Sequence, residues 1–141
     1  MKEVRSLIGF NVLVEEMKER NSHLDDMDYV EMDLTEPMDL LDSDSFTCII
    51  DKGTLDSVAC SEQYSQRAKQ MVENVHRILA PGGSYICVSY ARPETRLIYL
   101  KDPNFKWKVD TNKIAKKSSI ELFERLDQEQ FYYVYICTKN Y

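Results

Sequence analysis

Two carboxylates, an ammonium and a hydroxyl fall within six residues at Asp51-Lys52-Gly53-Thr54-Leu55-Asp56. Groups of these kinds bind and orient polar ligands, and the glycine between them permits a sharp turn or a close backbone approach. The same residues also describe a strand exit followed by a capped helix, with Thr54 or Asp56 bonding free amides. Residue types alone leave both readings open. Asp33 and Ser89-Tyr90 close two further β-prone runs, and in an open α/β sheet such tips share one rim, where ligands bind. No metal is expected there, because His23 and His76 stand at no ligand spacing from Cys48, Cys60, Cys87 or Cys137.

The elements that must position these tips follow from periodicity. Val4 to Phe10 is a short apolar run with the character of a strand. From Asn11 to Arg20, Val12, Leu13, Val14 and Met17 supply an apolar side opposite Glu15, Glu16, Lys18, Glu19 and Arg20, which predicts a helix. Met27 to Asp33 alternates as a strand does. Phe46 to Asp51 is denser and hardly alternates, the pattern of a strand buried on both faces. A long helix is expected from about Ser61 to Leu79, where Tyr64, Ala68, Met71, Val72, Val75 and Ile78 recur at helical spacing. Ser61 is its candidate cap, and Ala80-Pro81-Gly82-Gly83 its stop. Tyr85 to Tyr90 is the next strand, and Pro93 opens a short helix through Leu100. Phe105 to Val109 and Phe131 to Cys137 complete the set as strands. This order fits an α/β sheet with a late hairpin-like pair, the alternative being an antiparallel α+β sandwich.

With 141 residues and no linker or low-complexity stretch, one domain spanning residues 1–141 is expected. A net charge of -6 argues against a general nucleic-acid binder, and Lys113, Lys116 and Lys117 read as a solvated charge run. The four cysteines, without a CxxC pair, read as buried, reduced thiols. No apolar run is long enough to span a bilayer and no signal-peptide core opens the chain, so a cytoplasmic location and no membrane contact are expected.

Ile49-Ile50-Asp51-Lys52-Gly53-Thr54-Leu55-Asp56-Ser57, followed by a helix ending Arg77-Ile78-Leu79-Ala80-Pro81-Gly82-Gly83, closely resembles the methyltransferase-like family that includes eukaryotic elongation factor 1-alpha lysine methyltransferases. Asn11 to Arg20, Met32-Asp33 and Ser89-Tyr90-Ala91-Arg92-Pro93 look like the same family, so the resemblance covers about residues 5 to 140. It implies a Rossmann-like α/β sheet with helices on both faces, S-adenosylmethionine as cofactor, and a protein substrate whose acceptor is lysine, a translation elongation factor among the candidates. By position, Asp33 matches the residue facing the adenine amino group and Leu34 the one packing beside the base. Asp51 and Lys52 match the catalytic post-strand motif next to the methionine portion of the cofactor, where the Asp51 carboxylate could hold an acceptor amine. Thr54, Leu55, Ser89 and Tyr90 would shape the substrate wall, and Asp56 would orient the loop.

The sequence departs from that family in one region. Gly9, Gly53, Gly82 and Gly83 are its only glycines and none forms a glycine-rich cofactor loop, while Ile8 falls where the family carries a ribose-binding acid. The strand that would precede such a loop belongs at the centre of the sheet, beside Phe46 to Asp51. Either the chain is an N-terminally truncated product, or Val4 to Phe10 has moved into the vacated place. A protein-lysine methyltransferase is the leading expectation. A non-catalytic module that binds a protein through Tyr90, Arg92 and the late aromatic strands is the alternative, ahead of a small-molecule methyltransferase.

Overall fold

The computed structural model describes residues 4–8, 11–60, 65–116 and 131–141. In chain order these form β1 (Val4–Ile8), α1 (Asn11–Arg20), β2 (Met27–Glu31), β3 (Phe46–Lys52), α2 (Thr54–Val58), α3 (Ser65–Ile78), β4 (Leu79–Ser89), α4 (Pro93–Leu100), β5 (Trp107–Ala115) and β6 (Phe131–Lys139). Helices α1 and α4 lie at their expected bounds. The long helix is described from Ser65 to Ile78, behind a separate short α2; Ser61 and Tyr64, offered as its cap and first apolar contact, and Lys117 of the basic run lie outside the described residues.

One sheet runs β3-β4-β6-β5, with β3 and β4 parallel and the β4–β6 and β6–β5 pairs antiparallel; β1 and β2 form a separate parallel pair. Parallel pairing with a helix between the strands sets aside the antiparallel sandwich. Helix α3 covers one face of the larger sheet. Its stripe of Ala68, Met71, Val72 and Val75 is fully buried with Tyr85 and Cys87 of β4 and Tyr135 and Cys137 of β6. The register places those four strand residues in line, since Tyr85 pairs with Cys137 and Cys87 with Tyr135. Strand residues two apart share a face, so the α3 side of β4 is set by Tyr85 and Cys87 together.

The other end of α3 ties down the loop before β3. Arg77 donates to the carbonyls of Met38 and Leu41 at 2.8 and 2.9 Å, and Asn74 to those of Leu34 and Glu36 at 2.9 Å each. Under them Met38, Leu41 and Ile78 form a second apolar cluster.

Three expectations need correction. Strand β3 is covered on one face only: Ile50 is 72% exposed and Cys48 is exposed beside it, because no described helix lies over that side. A dense apolar run shows that a strand can be buried, and packing decides which faces are. Only Cys87 and Cys137 are buried thiols, whereas Cys48, on that open side of β3, and Cys60, past the end of α2, are exposed. Finally, the described part of the Val4 to Phe10 run, Val4 to Ile8, has not moved next to β3. Val4 to Ile8 pairs with β2, and the edge of β3 away from β4 has no strand partner among the described residues.

Candidate active site

The carboxyl ends of β3 and β4 lie together, and the antiparallel pairings bring the start of β6 and the end of β5 to the same rim. Lys52 pairs with Val88, Ser89 with Tyr133, and Tyr133 with Lys113.

At the end of β3 the chain turns through Gly53, whose φ of 80° is a left-handed conformation that an L side chain adopts only with strain. The amides that start α2 point back at Asp51. Its Oδ1 accepts from the Thr54 amide at 2.7 Å and its Oδ2 from the Leu55 amide at 3.1 Å, so Asp51 does the work of a cap. The Tyr85 hydroxyl donates to the same Oδ2 at 2.9 Å and the Cys87 thiol at 3.7 Å. Burial first, and the Asp51 and Cys87 groups after it, push the Tyr85 phenol well above its ordinary range, so it stays a neutral donor.

Asp56, one turn into α2, faces β4. Its carboxylate accepts from the Ser89 hydroxyl, from the Tyr90 amide at 2.9 Å and from the Arg96 guanidinium at 2.8 Å. Ser89 in turn accepts from the Ala91 amide at 3.0 Å and Arg96 Nε at 3.3 Å. The two side chains of the ion pair are 7% and 20% exposed, for Arg96 and Asp56 respectively, so this is a largely desolvated knot tying α2, β4 and α4 together. Asp56 therefore orients the loop, as expected of it.

The motif is thus sorted by the pleat. Asp51, Leu55 and Ser89 are buried, while Lys52, Thr54 and Tyr90 are exposed on the rim. Three assignments change with that. Asp51 is not placed to hold an acceptor amine, because both of its oxygens are turned inward and engaged. Leu55 lines the core beneath α3 instead of the substrate wall. Ser89 serves the Asp56–Arg96 knot and has no face left for substrate.

Asp33 stands just past β2, 50% exposed at its side chain. The Thr35 hydroxyl and amide donate to Oδ1 at 2.7 and 2.9 Å, and Arg67 to Oδ2 at 2.9 Å. The Thr35 hydroxyl, then its amide and the Arg67 charge, hold the Asp33 carboxyl below its ordinary value, so it is ionised at neutral pH with half its surface open. Arg67, on the first turn of α3, also donates to the Thr35 hydroxyl at 2.9 and 3.1 Å. Leu34 is partly buried against both apolar clusters. Sequence reasoning did not identify Arg67 or Arg96 as part of this rim. Arg67 lies 34 residues from Asp33 and Arg96 lies 40 from Asp56, so no local pattern could have paired them.

The chain is 40% identical over 84 residues to a Bos taurus eEF1A lysine and N-terminal methyltransferase, which is 57% of this chain and 12% of that protein. With its Danio rerio counterpart it shares 30% identity over 128 residues, 90% of this chain and 18% of that protein. The chain has the class I methyltransferase fold and is similar in sequence to the eEF1A lysine methyltransferases. A Danio rerio mitochondrial citrate synthase-lysine N-methyltransferase is 33% identical over 73 residues, 52% of the chain and 29% of that protein. No family model matches the sequence. Among solved structures, the N-methyltransferase NodS from Bradyrhizobium japonicum, in complex with S-adenosyl-L-homocysteine, superposes with a TM-score of 0.70 at 9% identity, covering 97% of this chain and 66% of that one. The [4+2]-cyclase SpnF gives 0.71 at 11% identity, covering 98% and 67%. A cyclase on the same scaffold as a methyltransferase shows that here, as elsewhere, the likeness fixes the fold and leaves the chemistry to the site. The chain spans less than a fifth of the length of these eEF1A lysine and N-terminal methyltransferases.

Proposed function

We propose that this chain forms the acceptor side and the adenine end of an S-adenosylmethionine-dependent protein-lysine methyltransferase. The observation that carries the reading is Asp33: a carboxylate kept ionised by Thr35 and Arg67, half exposed at a strand tip, suits an exocyclic amine that needs an acceptor. Two kinds of relative support the acceptor class. They are named for different proteins, eEF1A and citrate synthase, and share lysine as the modified residue.

The residues present fit the cofactor at one end. Asp33 and Leu34 would hold the base. A Cβ added at Gly53 would meet nothing within 4 Å, which leaves open space beside the exposed Lys52 and Thr54 for the rest of a ligand. The cofactor, when bound, supplies an electrophilic methyl group. What this chain adds is alignment and desolvation, the two contributions that an in-line displacement asks of a protein. Asp51 sets the loop by capping α2, Asp56 locks that loop to β4, and Lys52, Thr54 and Tyr90 face the acceptor.

A second reading is favoured by the open side of β3. With Ile50 exposed and no described strand between β1 and β3, the chain serves as a protein-binding module of methyltransferase type without turnover. Calorimetry with S-adenosylmethionine separates the two. Heat of binding that weakens in Asp33→Ala supports the first reading; no binding at millimolar ligand leaves the second, and binding indifferent to Asp33→Ala removes the adenine assignment. A methylation assay on eEF1A then tests the acceptor.

A further inference from the structure

At the end of the sheet opposite the candidate site, His76 joins three parts of the chain. It stands in the last turn of α3, and its Nε2 accepts from the backbone amide of Lys106, in the segment between α4 and β5, at 3.2 Å. The imidazole packs against Phe105 and Trp107, with ring centres 5.2 and 5.1 Å away and the Trp107 ring nearly perpendicular to it at 78°. The Lys106 carbonyl accepts from the Asn140 amide, just past β6, at 2.8 Å. Lys106 is thus clasped from α3 on its N–H and from the end of β6 on its C=O. Next to it, the Trp107 indole donates to the Leu100 carbonyl at 2.7 Å. The joint therefore also holds the C-terminal end of α4, the helix whose Arg96 enters the knot with Asp56.

An imidazole accepts at Nε2 only while it is neutral. A proton there would set one N–H against another at Lys106 and place a positive charge among cations. Lys139 of β6 donates to the His76 carbonyl at 2.8 Å and to that of Leu79 at 2.6 Å, so its ammonium is fixed beside the ring, and the Lys106 side chain adds a second positive charge. Asp44, in the loop before β3, pulls the other way, but Lys139 already engages its carboxylate at 2.7 Å. On α3 itself the neighbouring Arg77 is turned to the Met38 and Leu41 carbonyls. Burial first, and the Lys139 charge after it, hold the imidazole below its ordinary value of 6.5.

We propose that His76 is an acid-released latch: neutral, it pins residues 101–107 to α3 through the Lys106 amide, and on protonation that segment parts from α3 with Phe105 and Trp107 while the sheet stays folded. The sheet survives because the stripe of Ala68, Met71, Val72 and Val75 packs on β4 and β6 through apolar contacts that no proton touches. Opening is local for the same reason. The closed joint binds the proton less readily than the open one, so closure is complete above 6.5 and is lost as pH falls through the lower value of the closed state. The latch is independent of the methyltransferase reading and does not require turnover.

Trp107 is the single tryptophan of the chain and reports on the joint directly. The test follows its emission in the whole chain from about pH 8 to about pH 5, beside far-ultraviolet circular dichroism. The emission is expected to move to the red with a midpoint below 6.5 while the dichroism holds. His76→Gln, whose amide oxygen can accept from Lys106 but takes no proton, should keep the native emission throughout. His23→Gln, exposed in the turn after α1, should behave as the parent does. The unmodified chain supplies a second measure: protection of the Lys106 amide from hydrogen exchange should fall by up to about ten-fold per pH unit between the open and closed values, with the β4 amides keeping theirs. An emission that does not move, a shift shared by His76→Gln, a shift lost in His23→Gln, a parallel loss of dichroism, or unchanged protection at Lys106 would each overturn the proposal. Because S-adenosylmethionine is absent, none of these results turns on whether the chain methylates.

Discussion

The Tyr85 hydroxyl donates to the Asp51 carboxylate at 2.9 Å from one strand to its parallel neighbour, both residues buried. This bond makes the turn after β3 answerable to the core. Replacing Tyr85 by Phe removes one donor and leaves Asp51 with two amides, at an expected cost of about 1 kcal/mol. Asp51→Ala strips the Thr54 and Leu55 amides and the tyrosine of their acceptor together, and about 3 kcal/mol is expected. Urea unfolding of the two variants checks the ranking, and equal losses would contradict the capping role.

The Asp56–Arg96 pair gives a second prediction. Asp56→Ala leaves a nearly buried guanidinium without its carboxylate and should destabilise by about 3 kcal/mol. Removing both charges, as Asp56→Ala/Arg96→Met, should recover part of that loss. A double-mutant cycle measures the coupling, and strict additivity would mean that the knot is no more than two separate contacts.

Thiol chemistry offers a third. Burial pushes the Cys137 thiol up to about 12 and raises Cys87 as well, with the Asp51 charge adding to burial at Cys87, so neither forms a thiolate near neutrality. Cys48 and Cys60 are exposed. In the native protein a chromogenic disulfide reagent should titrate two thiols quickly and the other two only after denaturant is added. Four fast thiols would place Cys87 and Cys137 outside the core.

The fourth concerns acid. Asp33 is held below its ordinary value of 3.8, chiefly by the Thr35 hydroxyl and amide, so the folded state binds its proton less readily than the unfolded chain does. The resulting stabilisation is complete above that ordinary value and is lost as pH falls through the folded one. Since the side chain is half exposed, it amounts to less than about 1 kcal/mol. Asp33→Asn should therefore be slightly less stable than the parent at neutral pH, and the difference should close in strong acid. A gap that persists to the lowest pH would show that the charge is not its source.

Much of the framework was legible in the sequence. Pro93 at the head of α4 and the apolar side of α1 are local signals, and both helices begin and end where those signals put them. The Asp51-to-Asp56 motif pointed to the right fold. It could not say which side chains around it face outward, because that depends on the pleat and register of β3 and β4 and on how α2 packs; hence Asp51, Leu55 and Ser89 were placed at the site and belong beneath it. Ile50 erred the other way, apolar yet exposed, since the residues around a strand are not written in the strand itself. The Asp33–Arg67 contact joins two distant parts of the chain and exists only once α3 lies beside β2.

The sorting of the motif by the pleat also bears on how such a domain diversifies. The residues that make the turn are separate side chains from the exposed ones, so Lys52, Thr54 and Tyr90 are open to substitution at little cost to architecture, while a change at Asp51 or Asp56 is felt as folding first. The loop thus behaves as a hinge-pin with an interchangeable face, and on the proposed reading a change of client protein would require retooling only that face.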